Sequence, residues 1–151
     1  MKFPYQCYEI AASPLDGTTE LFRPEILLHL IGESGDLHVF GLLDTGADGV
    51  VVGRGLADRI GIRVDESVCW PLRGFGDHPH SAVLGHVDVE LMAGNDSACW
   101  RMPVGVVTFE YPAHEEIVLL GQTGFLQFFD VRFHGLQHLV ELEANESFPQ
   151  T

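Results

Sequence analysis

Gly41-Leu42-Leu43-Asp44-Thr45-Gly46-Ala47-Asp48 decides how this chain is read. An apolar strand runs into an acid and stops. An acid that closes a buried run lies at the edge of a core, not out in solvent. Gly46 carries no side chain, so backbone and carboxylate can approach a neighbouring chain closely there. Thr45 adds a hydroxyl able to hold a backbone group. The same triplet also reads as an ordinary turn, since Asp and Gly are turn residues. Its setting points further: two leucines precede it, and Val50-Val51-Val52 and a short helix follow.

On either side of this segment, Gly and Pro cut the sequence into short pieces, many of them strands. The pattern predicts strands at Leu21–Ile31, Leu37–Leu43, Val64–Leu72, Ser81–Met92, Ala98–Phe109, Val131–Phe133 and His138–Leu142. His86 to Leu91 alternates with the period of two expected of a half-buried strand. Gly32-Glu33-Ser34-Gly35-Asp36 and Gly94-Asn95-Asp96-Ser97 are turns, the first closing a hairpin. Glu25–Ile31 fits helix or strand; the turn and strand that follow at once favour strand. Helices are expected at Arg54–Ile60, ended by Gly61, and over Gly124–Phe129. The fold class is therefore all-β, closed and barrel-like, with one or two short helices. It forms one domain over 1–151, with a core from about 21 to 142 and a solvated tail at 143–151.

Composition narrows the function classes. The chain has 151 residues, of which 46% are hydrophobic, which suits one globular core. Eight Lys+Arg against 22 Asp+Glu give a net charge of -14, which argues against nucleic acid and anionic membrane surfaces as partners. No apolar run reaches the ~20 residues of a membrane span, and the first residues show no secretory leader. Cys7, Cys69 and Cys99 match no zinc or disulfide spacing and read as reduced thiols of a cytoplasmic protein. The eight His residues form no spaced ligand set, and no nucleotide-binding or Gly-x-Ser-x-Gly motif is present, so neither a metal nor a cofactor is expected.

A second segment complements the first. Ile117-Val118-Leu119-Leu120-Gly121 is an apolar run ending in glycine, followed by Phe125-Leu126 and a strand. Together, Leu42-Leu43-Asp44-Thr45-Gly46-Ala47 and Leu119-Leu120-Gly121 resemble the retropepsin-like aspartic proteases in kind, order and separation. The resemblance covers about Leu21 to Leu142. It implies that the two elements cross as loops at the floor of an active site, with Leu119, Leu120 and Gly121 as structural floor. Asp44, Thr45 and Gly46 would be catalytic, and Ala47, Asp48, Val50 and Val51 would bind substrate. Arg73-Gly74-Phe75-Gly76-Asp77, between two expected strands, is similar to the family's flap; read alone it is a hairpin turn. Gly74, Phe75 and Gly76 would close over substrate. Gln122 stands where many retroviral members carry an arginine that pairs with the acid at the position of Asp48.

The implied chemistry needs two carboxylates sharing one proton, one activating water and one protonating the carbonyl oxygen. The chain holds one Asp-Thr-Gly, so the resemblance implies a homodimer with one Asp44 from each copy. His138–Glu143 and Phe3–Ile10 are the expected interface strands. Ala47 has no hydroxyl to donate to the carboxylate, which implies activity at mildly acidic to near-neutral pH. The expected function is an aspartic endopeptidase acting on extended polypeptides. The rivals are a catalytically silent dimer that binds peptides or serves as a scaffold, and a protease acting only on its own chain or one partner.

Overall fold

Alternation along the strands sorts side chains into two apolar layers, and this sorting builds the fold. In the computed structural model, which describes residues 1–72, 80–109 and 116–149, the chain is mostly strand with one α-helix. The barrel strands are β4 (Glu25–Ile31), β5 (Asp36–Leu43), β6 (Val51–Gly53), β8 (His80–Ala93), β9 (Asp96–Val107) and β10 (Val118–Leu120). They run in the order β4-β5-β10-β6-β9-β8, and β8 pairs back onto β4 to close the ring. The β5–β10 and β6–β9 pairs are parallel; the others are antiparallel. β8 is long enough to serve two neighbours on one edge. Its first half pairs with β7 (Val64–Leu72) and its second half with β4, while β9 runs along its other edge.

Leu43, Val50, Val52, Val118 and Leu120 point into the main core with Ile26, Leu28, Leu30, Val87, Val89, Leu91 and Met102. Their sequence neighbours Val51 and Leu119 point the other way, into a smaller cluster with Ala82, Val107 and Phe109, against which Leu42, Trp70, Leu72 and Ile117 pack. The all-β, closed-barrel expectation is met, and the helix α1 covers Arg54–Ile60 as expected. It buries Leu56, Ala57 and Ile60 and ends on Gly61 at φ 74°, the left-handed conformation that favours glycine.

Two local expectations are corrected, the unbroken strand Leu21–Ile31 and the second helix. Leu21–Ile31 is two strands, because Pro24 has no N–H for a ladder and its carbonyl instead accepts from the Leu43 N–H at 3.0 Å. β3 (Glu20–Arg23) pairs with β2 (Gln6–Glu9) as a separate two-stranded arm. The second helix is one 3-10 turn, Leu126–Phe128, and Phe129 already begins β11 (Phe129–His134). Phe3–Ile10 and His138–Glu143, the strands expected at an interface, are also paired within the chain. β1 (Lys2–Pro4) lies against β12 (Leu139–Ala144), which lies against β11. The stretch beyond Glu143 is tied down as well. Phe148 stacks edge-on to Trp100, Phe128 and Phe129, and the Asn145 amide donates to the Gln127 carbonyl at 3.2 Å.

Candidate functional site

The site is built where β5 and β10 end side by side. Leu42 pairs with Leu119 and Leu43 with Leu120 in parallel, so both chains leave the barrel at the same level. Each then turns across the other. The Asp44 N–H donates to the Leu120 carbonyl at 3.1 Å, and the Ala47 N–H returns to the Asp44 carbonyl at 3.2 Å. From the second loop, the N–H groups of Gln122 and Thr123 donate to the carbonyls of Ala47 and Asp48, both at 2.9 Å. The Val50 N–H closes the frame on the Thr123 carbonyl at 3.1 Å. Leu120 is fully buried beneath this crossing, and Leu119 and Gly121 are buried. The three floor residues therefore lie directly under the Asp44 loop.

Asp44 is half-buried, with Thr45 and Gly46 exposed beside it. Its Oδ1 accepts the Gly46 N–H at 2.9 Å, which fixes one carboxylate oxygen toward the turn. The Thr45 carbonyl accepts the Gln122 side-chain amide at 3.0 Å. Gln122 thus joins the two loops through a side chain where the strand ladders have ended. The sequence marked Gln122 only as a departure from a pattern; this contact needed the fold.

Three clefts are lined by residues of the crossing or of the strands that lead into it. One, of about 300 Å³, is lined by Gly46, Ala47, Asp48, Gly49, Val50 and Val51 together with Trp70, Pro71 and Leu72. A second, of about 240 Å³, shares Asp48, Gly49, Val50 and Trp70 with it. The third, of about 400 Å³, lies along Leu42, Leu119 and Ile117 and is walled by Tyr8, Arg23, Glu25 and Glu116. Here the Tyr8 hydroxyl donates to the buried Glu25 carboxylate, and that bond raises the phenol above its ordinary pKa. Ala47, Asp48, Val50 and Val51 therefore gather with Asp44, Thr45 and Gly46 around one crossing. Val50 and Val51 are mostly buried and offer only cleft walls.

Sequence reasoning missed Trp70, Tyr8 and Glu25. Trp70 was one residue of an expected strand, and no spacing tied it to Asp48. Gly74, Phe75 and Gly76 lie outside the described residues; β7 and β8 pair up to Leu72 and His80 on either side. Among the described residues no group of His, Cys, Asp and Glu is placed to hold a metal ion, and no helix is long and apolar enough to cross a membrane. Cys7, Cys69 and Cys99 are free and exposed. No protein-family model matches the chain, and no curated protein is similar to it.

Proposed function

We propose that the chain is an aspartic endopeptidase of the retropepsin-like kind, working as a homodimer in which Asp44 of each copy forms half of the catalytic pair. The observation that carries this reading is the held but accessible Asp44 carboxylate. Its main chain is pinned by Leu120, one of its oxygens is fixed by the Gly46 N–H, and two clefts are lined by the following residues of its loop, Gly46 to Val51. A carboxylate so placed can take or give a proton, but not both in one step. A second Asp44, brought by a two-fold axis, supplies the other role.

In the mechanism, one Asp44 carboxylate of the pair takes a proton from water, whose oxygen attacks the peptide carbonyl carbon. The other, protonated, gives its proton to the carbonyl oxygen. Two like charges at close range cannot both ionise, so the pair shares a proton and titrates as a unit. Collapse of the tetrahedral adduct breaks the C–N bond as the amine takes a proton from the pair. The substrate lies extended and is bound largely through its backbone, with side chains in the clefts.

The test is cleavage of an unfolded protein by the purified chain. Wild type cuts it, Asp44→Asn does not while keeping the same melting temperature, and activity per chain rises with protein concentration. The optimum lies at mildly acidic to near-neutral pH; an optimum below about pH 3 contradicts the role given to Ala47. Gln122 in place of the family's arginine favours a second reading, a silent dimer that binds peptides. That reading predicts peptide binding without cleavage in wild type.

A further inference from the structure

Three carboxylates line these clefts, and they differ in what they face. Glu116 holds Arg59 at 2.6 Å, and Glu25 has Arg23 at 3.8 Å and the Tyr8 hydroxyl. Asp48 is exposed, lines two adjoining clefts, and has no ion pair among the described residues. The partner shared by both clefts is Trp70. Its six-membered ring packs close to β9 at Gly105: a β-carbon there would sit 3.0 Å from the ring's Cζ2 and 3.4 Å from its Cη2. Missing side chain at Gly105 and small side chain at Ala82 leave the ring its seat, and the Gly105 N–H is in turn fixed to the Val50 carbonyl at 2.8 Å. An aromatic ring and a carboxylate without an ion pair among the described residues thus line the same two clefts, and Val50 lines them too.

We propose that Trp70 and Asp48 form a side-chain subsite that selects polypeptides carrying lysine or arginine. The aliphatic stem lies along Trp70 and Val50, and the cation reaches the Asp48 carboxylate and the edge or face of the indole. A carboxylate alone recognises any cation; the apolar stem length between ring and acid is what favours a long basic side chain. The net charge of -14 acts in the same direction at long range, drawing basic chains toward the protein in a salt-dependent way. This inference rests on the reading of the site as one that binds extended polypeptide, but not on Asp44 being catalytic.

The experiment separates the two. Asp44→Asn protein is titrated with extended peptides identical except that one series carries lysine or arginine and the other norleucine or glutamine. Selection by the subsite gives roughly fivefold tighter binding of the basic series at low salt, shrinking as salt is raised. Adding Asp48→Asn removes the preference, and adding Trp70→Leu weakens binding of the basic and norleucine series together, since both stems use the ring. Equal affinity for both series, a preference that survives Asp48→Asn, or no binding of any peptide overturns the proposal. Selective binding by a wild type that cleaves nothing sinks the catalytic reading and leaves the subsite standing. Cleavage without enrichment of basic residues near the cut does the reverse.

Discussion

Gly121 passes so close beneath Gly49 that a β-carbon on Gly121 would lie 2.3 Å from the Gly49 carbonyl oxygen and 2.6 Å from that of Ala47. Both oxygens belong to the backbone of the Asp44 loop, so nothing flexible can yield. Gly121→Ala is expected to destabilise the fold by about 3 kcal/mol and to displace the Asp44 loop. Gly135→Ala, where an added carbon meets nothing within 4 Å, is the control and is expected to leave stability unchanged or raise it by about 0.5 kcal/mol. Denaturant melts of the two variants decide it.

Gln122 has the opposite role, adding a contact where the loops have no ladder. Gln122→Ala removes the 3.0 Å bond to the Thr45 carbonyl, and the exposed setting limits the loss to about 1 kcal/mol. The effect on function is expected to exceed the effect on stability, because the bond orients the residue next to Asp44. In the peptidase assay kcat falls with little change in KM, and Gln122→Asn, too short to reach, behaves like the alanine variant.

His29 fastens the barrel seam. Its Nδ1 lies 3.1 Å from Glu90 on β8 and its Nε2 lies 2.8 Å from Asp36 on β5, with the His38 ring stacked 4.3 Å away. Both nitrogens donate only in the imidazolium, and the bonds to Asp36 and then Glu90 raise the His29 pKa. A raised folded-state value gives stability that is fully present below the unfolded pKa of about 6.5 and is lost as pH rises through the folded value. The melting temperature of wild type is therefore expected to exceed that of His29→Gln most near about pH 6, with the gap closing in alkaline buffer. Three residue pairs join β4 to β8, and their amides are expected to lose exchange protection in His29→Gln before those of the longer β8–β9 ladder.

Phe148 anchors the chain beyond β12. It sits 5.5 Å from the rings of both Trp100 and Phe129, and the Trp100 indole donates to the Gly124 carbonyl at 3.0 Å. Phe148→Ala is expected to cost about 2 kcal/mol, less than a fully buried phenylalanine, because the ring is half-buried. Trp100 fluorescence shifts to the red in the variant, since water reaches the indole; an unchanged spectrum would show that Phe148 shields nothing.

Much of this architecture was legible residue by residue. Alternation from His86 to Leu91 marked β8, Gly61 marked the end of α1, and the halt of an apolar run at Asp44 marked a loop at the edge of the core. Pro24 is a readable signal of the break between β3 and β4, because a missing N–H inside an apolar run argues against one continuous strand. No such signal existed for the partners of Gln122 or Trp70. Their contacts lie 77 residues away for Gln122 and on other strands, at Ala82 and Gly105, for Trp70, and exposed polar or single aromatic residues have no period to betray them.

By itself the sequence determined which segments extend, where they turn, and that an acid is held at the end of a buried strand. These follow from backbone preference and from the alternation of apolar side chains, which act over a few residues. Only the tertiary structure decided that β8 closes onto β4, that β1 pairs with β12 within the chain, and that Trp70 faces the same clefts as Asp48. Those choices depend on packing between segments far apart in the chain, where the same strands admit several pairings and only the filled core selects among them.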